Sequence, residues 1–251
     1  IINMLRDRGC GIIYISHKME EILRISDDVT IMRDGTWVAT KPAKELTMDE
    51  IIRLMVGRDV QLKVDKTEQA PGDVVLDVQH VTVPSRVHKK DAVRDVSFQV
   101  RQGEIVCLAG IEGNGQTEFV YSLAGLTRQS AGSFTLCGRD ISHDSTRARS
   151  KAGMSHIPED RHKHGLVLDY TLEENLVLQR YWHPEFHKHG MIQFDAVRQY
   201  AEKLIAQYDI RSGQGPVTIA RSMSGGNQQK AIVAREIDKA HKLLVAVQPT
   251  R

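Results

Sequence analysis

No apolar run in this 251-residue sequence approaches the roughly 20 residues that a membrane-spanning helix needs, and the longest, such as LLVAV, are far shorter. Neither sign of charge dominates, because the sequence has 34 basic and 32 acidic side chains. Charge alone therefore indicates no nucleic-acid partner and no anionic membrane surface. The start, IINMLRDRGCG, lacks the layout of a signal peptide. We therefore expect any membrane association to come through a partner protein.

Cysteines and aromatic residues are also scarce. The three cysteines, Cys10, Cys107 and Cys137, are odd in number and lie in or beside apolar stretches. This pattern favours free thiols in a reducing compartment over a disulfide framework, which predicts a cytoplasmic location. Aromatic residues make up 5% of the chain, but a hydrophobic content of 41% is enough to bury the core of one large domain or two smaller ones.

The first part of the chain predicts alternating strands and helices. A β-branched run, GIIYIS, precedes a helical stretch, a second apolar run and a turn at Asp34-Gly35. A further helix, MDEIIRLMVG, is predicted to end at Gly57. Residues 59–73 then lose apolar periodicity and contain Pro71 and Gly72, so we expect a linker.

A second unit is predicted from Val74 onward. Strands are expected in VVLDVQHVTV and AVRDVSFQVRQGEIVCLAG, followed by a glycine-rich loop, the helix QTEFVYSLAGL and a turn at Ala131-Gly132. Residues 165–210 are predicted to be largely helical. RSMSGGNQQKAIVAREI has the pattern of a glycine turn that opens a helix, and KLLVAVQPTR that of a final strand.

The glycine-rich loop GIEGNGQT fits the phosphate-loop spacing G-x-x-x-x-G-K-[ST] at every position except the lysine, which is replaced by Gln116. In such loops small residues let backbone N–H groups point at phosphate oxygens. A lost charged hydrogen bond is worth roughly 1.5–3 kcal/mol, so affinity could fall ~10- to 100-fold while binding survives. The alternative is a glycine turn without a ligand. The candidate nucleotide-binding residues of the loop are Gly110, Gly113, Asn114, Gly115, Gln116 and Thr117.

The segment SMSGGNQQK resembles the signature sequence of ABC transporter ATP-binding domains, and its form is similar to the second domain of tandem simple-sugar and nucleoside importers. In that family the signature binds the γ-phosphate of ATP held by the opposite domain. This contact places an anion at a helix N-terminus. The alternative is an ordinary glycine turn. The resemblance assigns this role to Ser224, Gly225, Gly226, Asn227 and Gln228.

The segment SHIPEDRHKHGLV resembles the place where most ABC domains carry their Q-loop glutamine, and Glu159 occupies that position. A solvated charged turn is the alternative. Histidines cluster here and in YWHPEFHKHG, but without cysteine or paired-carboxylate spacing, so we predict exposed loop histidines and no metal site.

The last strand departs from the family pattern, in which four apolar residues precede D-E-P-T. Val247 stands at the position of the magnesium aspartate and Gln248 at that of the catalytic glutamate. A glutamine amide accepts no proton, so general-base action is lost together with the lysine. The resemblance therefore implies a degenerate site in which Gln248 contacts nucleotide and the Mg²⁺ site is weak or absent.

His17 ends the run IIYISH and matches the switch histidine of the family, which contacts the γ-phosphate and orients the attacking water. The downstream segment SDDVTIMRDG resembles the family's tail. A structural histidine that caps a strand is the alternative. The resemblance assigns His17 a catalytic role in the competent site of the paired domains.

These motifs occur in a rotated order, with the histidine and tail ahead of the phosphate loop and signature. We expect a fragment: residues 1–58 from the end of a first ABC ATPase domain, linker 59–73, and residues 74–251 from a second domain truncated after its Walker B strand. The implied fold is an α/β P-loop NTPase of the ABC type with an added antiparallel β-subdomain and a helical subdomain. We also expect GIIYISH to dock between EIVCLAG and LLVAV.

The resemblance implies an ATP-binding subunit of a sugar or nucleoside importer, using ATP and Mg²⁺, at the cytoplasmic face of the plasma membrane. Its expected partners are integral-membrane permease subunits and, indirectly, a periplasmic or lipoprotein solute-binding protein, with no nucleic acid. Two alternatives come from other classes. A metabolic kinase would need the missing lysine, and a soluble ABC ATPase acting on ribosomes or DNA would share the motifs.

Overall fold

The computed structural model describes residues 2–16, 18–33, 35–57, 69–85, 87–111 and 113–250. The chain divides into two compact units, Ile1–Glu68 and Gln69–Arg251. Most of the predicted linker lies outside the described residues. Within the described ranges, no helix is both long and apolar enough to span a membrane.

The first unit is a small α/β layer built on one hairpin. Strands β1 (Asp28–Arg33) and β2 (Thr36–Pro42) pair antiparallel, and helices α2 (Met19–Ile25) and α3 (Met48–Val56) cover them after a short α1 (Ile2–Asp7). A small core forms because apolar residues recur on the covered faces of these elements. Its buried members are Ile22, Val29, Ile31, Ala43, Leu46 and Ile51.

The boundaries of α3 follow the sequence signals. The Thr47 side chain accepts a hydrogen bond from the backbone N–H of Glu50 at the start, and Gly57 ends the helix in the left-handed conformation, with φ of 80°. The predicted end at Gly57 is confirmed.

The predicted strand GIIYIS is wrong. Residues 11–16 form no strand, and the side chains of Ile13 and Ile15 are 93% and 92% exposed. A β-branched run becomes a strand only when a neighbouring backbone satisfies its N–H and C=O groups, and this segment has no such ladder. The docking expected for this segment required that strand, so the structure does not support it.

The second unit contains an antiparallel sheet and a parallel strand pair. The sheet has the order β4-β3-β5-β6, formed by Val74–Pro84 (β3), Asp91–Arg101 (β4), Ala131–Leu136 (β5) and Arg139–Asp140 (β6). Helix α4 (Gln116–Leu123) packs on this sheet, and Phe119 of the helix contacts Phe98 and Phe134 at ring-centroid distances of 5.6 and 5.9 Å. This is the antiparallel β-subdomain that the family resemblance predicts.

Gly132 lies inside β5, which corrects the predicted turn at Ala131-Gly132. It faces an irregularity in the β3–β5 register between Gln79 and Thr82. A side chain at Gly132 would place its Cβ 2.4 Å from the carbonyl oxygens of Gln79 and His80, and the glycine has a φ of 84°. The close backbone approach explains the glycine.

The parallel pair consists of β7 (Met154–Ile157) and β10 (Leu243–Ala246), in a register that sets Leu243 opposite Met154 and Ala246 opposite Ile157. The predicted strand EIVCLAG is not formed, since residues 104–110 adopt no strand and are exposed. The strands of a parallel sheet are normally covered on both faces. Within the described part of this unit, no further strand joins the pair at β10.

The remaining helices form a separate layer with its own core. Short α5 (Thr146–Lys151) precedes β7, and α6 (Leu172–Val177), α7 (Phe194–Gln207) and α8 (Gly225–Asp238) pack together through Leu176, Ala201 and Ala234. Residues 165–210 are less helical than predicted, because turns and the hairpin of β8 (His187–Lys188) and β9 (Met191–Ile192) separate α6 from α7. This layer matches the expected helical subdomain.

A buried acid fixes α8 to the parallel pair. Glu236 accepts hydrogen bonds from the backbone N–H of His156 at 3.2 Å and from the Gln179 amide at 2.8 Å, and it pairs with Arg235 and Lys239. Burial raises the pKa of Glu236. The charges of Arg235 and Lys239, with the hydrogen bonds from Lys239 and the His156 backbone, lower this pKa by a larger amount, so the net shift is downward. The acid therefore remains ionised in the core and holds the helix in place.

Replacing Gly132 by alanine should destabilise the second unit more than replacing Gly138. Both glycines have positive φ, 84° and 78°, but a Cβ at Gly138 meets open space. We expect Gly138→Ala to cost about 1 kcal/mol for conformation alone and Gly132→Ala roughly 2 kcal/mol more for the overlap with two carbonyls. Urea unfolding measures both. Equal losses would show that the close approach at Gly132 is absent.

Candidate functional site

The glycine-rich loop is held against β4 by its last glycine. A Cβ on Gly115 would lie 2.3 Å from the carbonyl oxygen of Ala92, and the φ of Gly115 is 95°. Gly113 also has a positive φ, 89°, and has open space around it. Asn114 is exposed, and its backbone N–H donates to the Ile111 carbonyl. These constraints produce a tight turn that ends at the N-terminus of α4.

No side chain of residue 115 caps the start of α4. Its N-cap, Gly115, has no side chain that could accept from the first backbone N–H groups of the helix. The Gln116 side chain folds back over Gly110. The approach is so close that a Cβ added at Gly110 would lie 1.9 Å from Gln116 Nε2. Gln116 thus presents an uncharged amide to the loop in place of an ammonium group.

The ends of β7 and β10 bring two further candidate residues together. Because Ala246 pairs with Ile157, the residues two positions beyond each strand lie side by side at the carboxyl edge. Gln248 Nε2 donates to Glu159 Oε1 at 3.2 Å, and Thr117 Oγ1 donates to Glu159 Oε2 at 3.0 Å. The carboxylate of Glu159 therefore joins the glycine loop to the last strand.

No acid stands at the end of β10. Val247 is partly buried and packs against the core of the antiparallel sheet, and its backbone N–H donates to the Ile157 carbonyl at 3.0 Å. Gln248 has a φ of 44°, a left-handed conformation that costs a non-glycine residue about 1–2 kcal/mol. The Gln248 amide can donate to oxygen, but it cannot act as a general base.

The SGGNQ segment forms the start of α8 as predicted. Ser224 is the N-cap, and its Oγ accepts from Asn227 Nδ2 at 2.9 Å and from the Asn227 backbone N–H at 3.5 Å. Ser224 and Gly226 are exposed. Asn227 Oδ1 in turn accepts from the Arg211 backbone N–H. An exposed serine and two glycines at the start of a 14-residue helix can receive an anion.

The two glutamines after Asn227 face inward. Gln228 is buried, donates to the Ala220 carbonyl at 2.9 Å and lies 3.0 Å from His162 Nε2. Gln229 is also buried and donates to the Pro249 carbonyl at 3.0 Å. Gln228 therefore links the start of α8 to Ala220, and Gln229 links it to Pro249, beyond the end of β10.

The charged turn after Glu159 is ordered by its own hydrogen bonds. Asp160 accepts from the backbone N–H groups of Lys163 and His162, and chiefly the Lys163 bond lowers the pKa of Asp160. The Arg161 guanidinium lies over Gly225, since a Cβ there would be 2.9 Å from an Arg161 terminal nitrogen. Sequence reasoning missed Arg161 and Gln229, because only the folded chain sets them beside the signature.

The described histidines are not grouped in a way that suits metal binding. Among the residues described, no group of three or more histidine, cysteine or acidic side chains could hold an ion. His156 is not an exposed loop residue as expected: it lies in β7, and burial lowers its pKa to about 4. His17 lies outside the described residues. The three cysteines are free thiols, as predicted.

Comparison with known proteins identifies the family. The ABC transporter family model matches residues 93–251. The whole chain aligns at 42% identity with 49% of a nucleoside import ATP-binding protein of Lactococcus lactis and with 49% of a guanosine import ATP-binding protein of Bacillus subtilis. It also aligns at 36% identity with 48% of a galactose/methyl galactoside import ATP-binding protein of Salmonella typhimurium. The chain thus spans about half the length of these relatives.

Solved structures agree on the fold. An ATP-binding cassette in a dimeric post-hydrolysis state with ADP and phosphate superimposes with a TM-score of 0.58 at 19% identity, over 70% of this chain and 74% of that one. A nucleotide-free cassette from an ABC transporter gives a TM-score of 0.54 at 16% identity, over 71% and 70%. The α/β P-loop fold with its antiparallel and helical parts is confirmed, and the chain belongs to the ABC transporter ATP-binding family.

Proposed function

We propose that this chain is part of the ATP-binding subunit of an importer for simple sugars or nucleosides. Its second unit would hold one nucleotide without hydrolysing it and would offer its signature to a second, competent site. The observation that carries this proposal is the contrast within one unit between the intact, exposed start of α8 and a phosphate site that lacks both lysine and strand-end acids.

The residues of the phosphate site fit a nucleotide. Gly113 and Gly115 both have positive φ, and the N-cap of α4 has no side chain to occupy the first backbone N–H groups, which could therefore hold an anion. Bound ATP would supply the phosphate chain that these groups hold. Gln116 would donate one neutral hydrogen bond to it, and Thr117 and Glu159 would lie on the side of β7.

Hydrolysis at this site is disfavoured by its chemistry. Activation of a water molecule needs a base near the phosphate, but Gln248 is an amide that already donates to Glu159. Val247 lies against the core and offers no oxygen from its side chain. The competent site would instead combine Ser224, Gly225 and Gly226 with a phosphate loop from another domain, and His17 would serve that same site.

The relatives favour import over the other classes. The names of three of them state nucleoside, guanosine and galactose/methyl galactoside import. By this similarity, the chain would act with integral-membrane permease subunits at the cytoplasmic face of the plasma membrane, and a periplasmic or lipoprotein solute-binding protein would deliver the solute. Nothing in the described residues favours a ribosomal or DNA-directed ATPase.

The purified chain should release no phosphate from ATP above background. The lysine, the magnesium aspartate and the catalytic glutamate are all replaced at the Gln116 site. A phosphate-release assay with Mg²⁺ measures this. Magnesium-dependent turnover that Gln248→Ala abolishes would contradict the assignment of a non-hydrolysing site.

In a full-length protein that carries this chain, Ser224→Arg should abolish uptake, whereas Gln116→Ala should reduce it only mildly. The arginine would fill the exposed start of α8 that serves the competent site, and the alanine removes one neutral donor, worth about 1 kcal/mol. Uptake of radiolabelled solute into cells, at matched protein levels, compares the two variants. Equal losses would reject the division of labour between the two sites.

A further inference from the structure

Arg161 is a partly buried cation that lacks a direct partner. Its Nε is fully enclosed, yet no atom among the described residues accepts a hydrogen bond from this nitrogen. Within the same residues, no carboxylate forms an ion pair with the guanidinium. Buried polar groups in folded proteins nearly always have a partner, so an enclosed Nε without one points to a ligand that is absent from the free chain.

The two acids that precede Arg161 in the sequence are engaged elsewhere. The Asp160 carboxylate accepts from backbone N–H groups of the turn that follows it. The two oxygens of Glu159 accept from the Thr117 hydroxyl and the Gln248 amide. Neither acid is therefore directed at the guanidinium.

The guanidinium lies at the start of α8. A Cβ added at Gly225 would lie 2.9 Å from an Arg161 terminal nitrogen and 3.3 Å from Cζ, and both Ser224 and Gly226 beside it are exposed. The first N–H groups of a helix have no intrahelical acceptor, and the helix dipole makes this end positive. A positive side chain and a positive helix end thus face the same place, and an anion bound there would satisfy both.

The turn that carries Arg161 is anchored to α8 beyond that residue. His162 Nε2 lies 3.0 Å from the side-chain oxygen of buried Gln228. Gly165 lies so close to the same helix that a Cβ there would be 2.5 Å from Ile232 Cδ1. These contacts fix the backbone of the turn against the helix, so the guanidinium is held in place before a ligand arrives.

We propose that Arg161 binds the terminal phosphate of the nucleoside triphosphate that the start of α8 receives in the competent site, together with Ser224, Gly225 and Gly226. A guanidinium can donate two parallel hydrogen bonds to phosphate oxygens, and such charged bonds are roughly twice as strong as neutral ones. A nucleoside diphosphate has no phosphate at this position, so Arg161 favours the triphosphate. This inference rests on the proposed role of α8 in that site.

Arg161→Gln provides the test on the full 251-residue chain. Inorganic phosphate is titrated at constant ionic strength while backbone amide NMR signals are followed. In the unaltered chain we expect phosphate to shift the signals of Gly225 and Gly226. Arg161→Gln should weaken this binding about tenfold or more, because a charged hydrogen bond is lost, and should leave the response of Gly113 and Gly115 unchanged.

Arg221→Gln is the matched control. It removes the same charge a few residues before Ser224, but Arg221 is exposed and already pairs with Asp169 at 2.7 Å. It should change the phosphate affinity less than about twofold. Arg161→Lys keeps the charge and loses the paired donors of the guanidinium, so it should weaken phosphate binding about threefold.

A second readout uses a full-length protein that carries this chain. Arg161→Gln should slow ATP hydrolysis about 10- to 100-fold, since the ligand of the terminal phosphate is lost. It should leave the affinity for ADP within about twofold, because ADP lacks that phosphate. An equal loss of affinity for ADP would contradict the proposed contact.

The outcomes separate this inference from the proposed function. If phosphate shifts the α8 signals equally with and without the arginine, Arg161 is no phosphate ligand, and the proposed function stands. If phosphate shifts them in neither chain, the proposed role of α8 falls as well. If Arg161→Gln retains phosphate binding and ATP hydrolysis but abolishes uptake, Arg161 serves a partner protein and the inference is refuted. Thermal unfolding checks folding, and if Arg161→Gln is unfolded, Arg161→Lys decides.

Discussion

The parallel pairing of β7 with β10 is the constraint on which the site depends. It sets the carboxyl ends of the two strands, Ile157 and Ala246, side by side. It therefore places Glu159 next to Gln248, which lies 89 positions further along the chain. Helix α4 then adds Thr117 to the same carboxylate. Without that pairing, Thr117 at the start of α4 would lose the Glu159 carboxylate as its hydrogen-bond acceptor.

The start of α8 and the phosphate loop retain different parts of the family's motifs. The start of α8 keeps its capping serine and both glycines, and buried Gln228 and Gln229 hold it from behind. The phosphate loop keeps its glycine geometry but loses positive charge, and the strand end loses its acids. Under the proposed function, binding geometry and catalytic chemistry would be separated within one fold, which is possible because backbone N–H groups hold phosphate without side-chain acids.

The sequence predicted features that depend on local chemistry. Gly57 as a helix end, the glycine loop ahead of α4 and the glycine turn that opens α8 all follow from the backbone needs of single turns. The segments 11–16 and 104–110 were predicted as strands and are not, because strand formation depends on partners that periodicity does not reveal. The contact of Arg161 with Gly225 was equally hidden, since two distant segments create it.

Whether the second unit holds nucleotide without cleaving it can be read from the bound nucleotide itself. The chain is incubated with radiolabelled ATP and Mg²⁺ for many hours, free nucleotide is removed, the protein is denatured and the released nucleotide is identified. We expect to recover intact ATP in proportion to protein. Recovery of ADP, or of no nucleotide at all, would contradict it.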